Sequence, residues 1–131
     1  MRSIPIWGLV ASGGALGALA RYWLGDWLLR QFGKGLPWGT LAANLLGAFA
    51  AGFLTIWLEG RDASSQHWRA FLIVGVLGAF TTYSALMLEC LIFARTARSG
   101  WIVGYLALSL AAGLLLVWLG ARCAEAMRLH Y

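Results

Sequence analysis

Four long apolar stretches, separated by short polar breaks, restrict how this chain can fold. They run from about Ile4 to Leu29, Leu36 to Leu58, Trp68 to Ala94 and Trp101 to Ala121. The hydrocarbon core of a bilayer takes roughly 20 apolar residues per helical span, and each stretch reaches that length. The breaks are Gly33-Lys34-Gly35, the polar run Glu59 to Gln66, and Arg95 to Gly100. The 131 residues are 61% hydrophobic and only 11% charged, whereas about a quarter of a soluble domain is charged. The expected architecture is therefore all-α: a single transmembrane domain, 1–131, of four helices, with no room for a soluble domain or a lid. The first stretch runs too long for a secretory signal and lacks an n-region and a cleavage site, so no cleavable signal peptide is expected. Trp7, Trp23, Trp27, Trp38, Trp57, Trp68, Trp101 and Trp118 lie mostly near stretch ends, where an aromatic belt meets the headgroups.

The net charge is +5, from ten Lys+Arg against five Asp+Glu. In a soluble chain that excess suggests nucleic acid. Here the cations sit mostly at stretch ends, where they meet headgroups or snorkel, so no nucleic-acid partner is expected. Four spans place both termini on one side of the membrane. That side carries Arg2, Arg61, Arg69, Arg122 and Arg128, and the other carries Arg30, Lys34, Arg95 and Arg98, with Arg21 buried nearby. Orientation normally follows an excess of Lys and Arg, and here the two sides nearly balance. One consequence is dual topology, with copies inserted both ways and paired antiparallel. The plainer alternative is that a few charges decide the orientation weakly. Gly13 and Gly17 form GxxxG, and Ala43, Gly47 and Ala51 form a ridge of small residues, the spacing that lets membrane helices approach closely. Four thin helices cannot easily enclose a polar path alone, so an oligomer is expected. Cys90 and Cys123 fit no CxxC or Cys/His pattern, and His67 and His130 lie at stretch edges. Neither a structural disulfide nor a metal site built from side chains is expected.

Polar groups inside a span are costly, so each is a candidate for function. Arg21 stands a turn or two from the end of the first stretch, either snorkelling or placed as a cation at a pore mouth. Asp26 is five residues on, so a local pair is possible but poorly aligned. Thr40 and Asn44 are four apart and share a helix face. Thr40 could bond back to its own helix. Asn44 needs partners, either a neighbouring helix or an ion, and its NH2 can hold an anion. The third stretch reads Gly75-Val76-Leu77-Gly78-Ala79-Phe80-Thr81-Thr82-Tyr83-Ser84, with two glycines and three hydroxyl residues besides Tyr83. That composition predicts a helix broken at the midplane, which is tolerated where it lines a cavity or is buried in protein. Freed carbonyls there suit a small cation, and freed N–H groups and hydroxyls suit an anion. Glu89 lies five residues beyond Ser84 and suggests a hydrogen-bonded polar track. In the fourth stretch Tyr105 and Ser109 share a face, Ser109 being the candidate pore hydroxyl beside a packing alternative.

The strings Gly13-Gly14-Ala15-Leu16-Gly17-Ala18-Leu19-Ala20-Arg21-Tyr22, Gly39-Thr40-Leu41-Ala42-Ala43-Asn44-Leu45-Leu46-Gly47 and Gly75 to Ser84 appear in order, one per stretch. Together they resemble the CrcB/Fluc fluoride channels over the whole chain in length and topology. The resemblance implies an antiparallel, dual-topology homodimer in the bacterial plasma (inner) membrane. It implies two parallel pores that let fluoride leave the cytoplasm passively, with fluoride, membrane lipid and a second copy of the chain as partners. It implies a structural sodium ion (Na+) at the dimer centre, held by the backbone carbonyls of Gly78 and Thr81. Asn44 matches the family's pore asparagine, Arg21 its vestibule arginine, Thr40 and Ser84 its hydroxyl positions, and Glu89 its track acid. The family's third motif usually reads Thr-Phe-Ser-Thr-Phe. Tyr83 and Leu86 stand at its two phenylalanine positions, Ala85 replaces a hydroxyl and Met87 takes an often polar position. Tyr83 keeps an electropositive ring edge; Leu86 has none.

These residue types suit fluoride, a small and strongly hydrated anion. Its water shell must be replaced by many weak donors that still let it leave. Amide NH2, hydroxyls and ring edges are such donors, and a full positive charge in the narrow region would trap the ion. A small multidrug-type proton-coupled exporter needs a buried acid in its first span, and this span has no Glu, with Asp26 near its end. A non-transporting scaffold or holin would not need Asn44 or a broken third span. No nucleophile–base set or cofactor motif is present, so an enzyme is not expected.

Overall fold

The computed structural model describes residues 4–62 and 64–129, so Arg2 and His130 lie outside the described residues. Every regular element among the described residues is helical. Helix α1 covers Ile6–Phe32, α2 Trp38–Trp57 and α3 Ser64–Trp68. A π-helical segment, Arg69–Leu77, continues α3. It is followed by the single turn α4 (Gly78–Phe80), then α5 (Tyr83–Arg95) and α6 (Gly100–Arg128). Three of these units are long and apolar enough to cross a membrane: α2, the run Ser64–Arg95, and α6. At 27 residues α1 is about 40 Å long, but its second half carries Arg21, Asp26 and Arg30.

The helices outrun the apolar stretches. The third begins at Ser64 rather than Trp68, and α6 reaches Arg128 rather than stopping at Ala121. Apolarity marks what lies in hydrocarbon, whereas backbone hydrogen bonding carries a helix on into its polar flanks. Pro5 precedes α1 and Pro37 precedes α2. Proline suits a helix start, because the first N–H groups have no partner there in any case. Gly33 ends α1 with φ 73°, a conformation that costs glycine least.

Backbone meets backbone where the sequence places small residues. A Cβ on Gly13 would strike the Phe71 carbonyl oxygen, and one on Gly17 the Val76 carbonyl oxygen, so α1 lies directly on the π-helical segment. The pair α2 and α6 repeats this: Gly52 abuts the Val117 carbonyl and Gly120 the Phe49 carbonyl. Such contact is how membrane helices associate where burial from water gives no drive. The apolar cluster is small: Leu86, Phe93 and Tyr105, with the Phe93 and Tyr105 rings edge-on at 5.8 Å. Large apolar side chains such as Trp7, Leu108 and Leu114 face outward. A soluble monomer rarely exposes such continuous apolar surface, and lipid tails accept it without cost.

Arginines finish the helix ends. The second helix leaves its last carbonyls without intrahelical donors. Arg69 Nη2 donates to the Thr55 carbonyl at 3.0 Å, and Arg128 Nη1 to that of Ile56 at 3.0 Å. At the other end of the bundle Arg98 Nη2 donates to the Gly35 carbonyl at 2.9 Å.

Candidate functional site

The third hydrophobic unit breaks at Thr81 (φ −84°, ψ 155°) and Thr82 (φ −152°, ψ 122°), both extended, and becomes helical again at Tyr83. In an unbroken helix the Thr82 N–H would serve the Gly78 carbonyl. Here it donates to Asn44 Oδ1 at 2.7 Å, and Asn44 Nδ2 donates back to the Thr82 carbonyl at 2.9 Å. The Ala85 N–H, which would serve the Thr81 carbonyl, donates instead to Thr82 Oγ1 at 3.1 Å. Thr82 is thereby the N-cap of α5. The break thus diverts the helical donors of the Gly78 and Thr81 carbonyls. Gly47 leaves room on α2 for the Thr81 methyl, which a Cβ at that position would strike.

Asn44, Gly78, Thr81, Thr82, Tyr83 and Leu86 line one groove of about 440 Å3. Tyr83 is 75% exposed and projects from the first turn of α5. Ser84 Oγ lies 3.3 Å from Thr82 Oγ1. Leu86 is only 8% exposed, because it also packs into the Phe93–Tyr105 cluster.

A second polar assembly centres on Glu89. Thr40 Oγ1 donates to Oε1 at 2.5 Å and the Tyr105 hydroxyl to Oε2 at 2.5 Å, tying α2, α5 and α6 together. Arg21, Thr40 and Glu89 share a groove of about 260 Å3. Asp26 does not partner Arg21; it pairs with Arg30 at 3.0 Å, one helical turn on. Arg21 Nε instead donates to the Ala79 carbonyl at 3.1 Å, on the last turn before the break. Ser109, one turn beyond Tyr105 on α6, has a buried hydroxyl oxygen with no hydrogen-bond partner.

Apart from Ser109, which lines neither groove, the candidates from sequence fall into two neighbourhoods: Asn44, Gly78, Thr81, Tyr83, Ser84 and Leu86 at the break, and Arg21, Thr40 and Glu89 at the carboxylate. Sequence reasoning left Thr82 and Tyr105 without roles. Thr82 carried a signal in its residue type, since threonine is a favoured N-cap where a helix restarts. Tyr105 carried one in its helical spacing from Ser109.

The fold and these sites define a multi-pass α-helical membrane protein with a broken helix flanked by neutral donors. A family model described as CrcB-like protein, Camphor Resistance (CrcB), matches residues 8–121. The chain belongs to this CrcB family. It is 54% identical over 125 residues to the fluoride-specific ion channel FluC of Xanthomonas euvesicatoria pv. vesicatoria, covering 92% of this chain and 94% of that one. It is 48% identical over 119 residues to the protein of the same name from Thermus thermophilus, covering 91% and 93%. The Rhizobium meliloti fluoride-specific ion channel FluC is 38% identical over 119 residues, covering 91% and 95%.

Proposed function

We propose that this chain is the subunit of a passive, fluoride-selective channel in the bacterial inner membrane. It is built as four spans, with α1 as the fourth, and two copies pair antiparallel to form two pores. The observation that carries this is the break at Thr81–Thr82 held by Asn44. The Asn44 amide uses one N–H on Thr82 and has a second to offer, and Asn44 and Tyr83 line the same groove. Ser84 and the buried Ser109 hydroxyl supply further neutral donors. The names of the relatives supply the ion.

Fluoride gives up hydration only to a comparable set of donors, and release requires that each be weak. Arg21 provides a full positive charge in the groove it shares with Thr40 and Glu89, and its Nε is engaged with the Ala79 carbonyl. It attracts anions from a distance without closing on them. Thr40 and Tyr105 occupy both oxygens of Glu89 as acceptors, which tempers the repulsion a bare carboxylate would exert. A hard cation such as sodium takes oxygen ligands, and the diverted helical donors at Gly78 and Thr81 fit carbonyls turned to that use. Gly78 and Thr81 would hold it, and when bound it supplies a fixed positive charge that needs no protonation. The ion pair of Asp26 with Arg30 disfavours a proton-coupled exporter, which needs a free acid in its first helix.

Purified protein in liposomes loaded with fluoride is expected to release it under a potassium-clamped potential, with no proton gradient, and to release little chloride. An electrode trace without fluoride efflux, from vesicles shown to contain folded protein, ends this assignment.

A further inference from the structure

Two residues of α2, about one turn apart on the same face, take hold of two consecutive residues of the break. Asn44 bonds both backbone groups of Thr82, at 2.7 Å and 2.9 Å. Gly47 is buried and faces Thr81, whose methyl occupies the space that a Cβ would need. The Thr81 hydroxyl donates to the Leu77 carbonyl at 2.8 Å, and the Thr81 N–H donates to the same oxygen at 3.0 Å. The hydroxyl bond and the methyl contact together fix one rotamer of Thr81.

A side chain at position 47 would leave Thr81 no alternative. Staggered rotation about its Cα–Cβ bond offers two other positions. One places Oγ1 where the methyl now stands, against the new Cβ. The other drives the methyl onto the Leu77 carbonyl oxygen, at a separation only a hydrogen bond tolerates. The Thr81 backbone is tied to the last turn before the break, so α2 must withdraw instead. Asn44 withdraws with it, away from the Thr82 groups it bonds. Glycine is a poor helix former, and nothing within α2 itself calls for one at position 47. We propose that Gly47 is a positioning residue for the break: its bare backbone seats Thr81, and through that seat it sets the Thr82 peptide within reach of Asn44. The seat is a property of the break itself; only its effect on fluoride flow rests on the channel reading above.

Asn44 is the one asparagine in the chain, so isotope-labelled asparagine gives a single side-chain amide in the nuclear magnetic resonance spectrum of the full chain in detergent. Exchange with water of the amide proton bonded to Thr82 is expected to quicken about tenfold in Gly47→Ala. Adding Thr81→Ser removes the methyl and keeps the hydroxyl bond, and is expected to return exchange to within about twofold of the parent. Two other glycines separate this from a general loss of stability. Gly52→Ala strikes the Val117 carbonyl, between α2 and α6, whereas Gly113→Ala meets nothing within 4 Å. Gly113→Ala is expected to leave exchange unchanged, and Thr81→Ser is expected to reverse nothing that Gly52→Ala does. Unchanged exchange in Gly47→Ala, no recovery with Thr81→Ser, or recovery of the Gly52 variant as well, overturns the seat. If Gly47→Ala fails to fold, Thr81→Ser is expected to restore a helical, monodisperse protein, and a double variant that also fails overturns it. Fluoride efflux from liposomes is expected to fall with Gly47→Ala and return with the double variant. Exchange that follows the pair in a protein without any efflux supports the seat and ends the channel reading alone.

Discussion

Asn44 is bonded to both backbone groups of Thr82, at 2.7 Å and 2.9 Å. Aspartate there would keep an acceptor for the Thr82 N–H but set a second acceptor against the Thr82 carbonyl. An unsatisfied buried partner costs about 1–3 kcal/mol, and the added charge opposes any anion in the groove. Asn44→Asp is expected to reduce fluoride efflux from liposomes at least about tenfold while circular dichroism stays helical. Normal flux in this variant would remove Asn44 from the pathway. Leu86 presents a different residue-scale lesson. It stands at a position where the family's motif has an aromatic ring, yet at 8% exposure it is held by Phe93 and Tyr105. Tyr83, 75% exposed, is the aromatic side chain lining the groove at the break.

At the scale of elements, glycine carbonyl contacts decide how close the helices come. Gly120 faces the Phe49 carbonyl, whereas Gly113 on the same helix has nothing within 4 Å of a built Cβ. Gly120→Leu must therefore push α6 off α2, an overpacking worth roughly 1–3 kcal/mol. It is expected to lower the melting temperature clearly, with Gly113→Leu close to the parent in the same fluorescence assay. Equal losses in both variants would show that close approach at Gly120 is not what holds the pair. The arginines act at this scale too. Arg21, Arg69, Arg98 and Arg128 each donate to a backbone carbonyl of another element, at Ala79, Thr55, Gly35 and Ile56. Their sequence pattern suggested headgroup anchoring, and the fold adds to it a tie to a backbone carbonyl, at a helix end for Arg69 and Arg128 and in the loop after α1 for Arg98.

For the whole molecule, the near balance of cations between its two ends bears on insertion. In the four-span arrangement proposed above, such a balance would give the chain no preferred orientation. Cys123 is exposed near the end of α6, and Cys90 is half-buried, so a Cys90→Ser variant leaves one reporter. A membrane-impermeant maleimide added to sealed vesicles is expected to label about half of the copies from outside and the rest only after lysis. Labelling wholly from one side would refute dual topology and the antiparallel pair with it. Outward-facing side chains such as Trp7, Leu108 and Leu114 remain ordinary in lipid, whichever way each copy enters.

The chain's own pattern determined that it is helical, that it belongs in a bilayer, and that its third stretch breaks near Gly78 to Ser84. Those properties are local: hydropathy, small-residue spacing and a clustering of glycines and hydroxyls are legible one segment at a time. Asn44, Thr40, Glu89 and Arg21 were also legible as sites, because a polar group in an apolar run is conspicuous by itself. Their partners were not. That Asn44 meets the Thr82 backbone, that Arg21 turns from Asp26 to the Ala79 carbonyl, and that Tyr105 closes on Glu89 depend on how helices lie against one another. Each of those bonds joins residues far apart along the chain or on separate helices. Only packing between elements, set by where backbone can touch backbone, decides which donors find which acceptors.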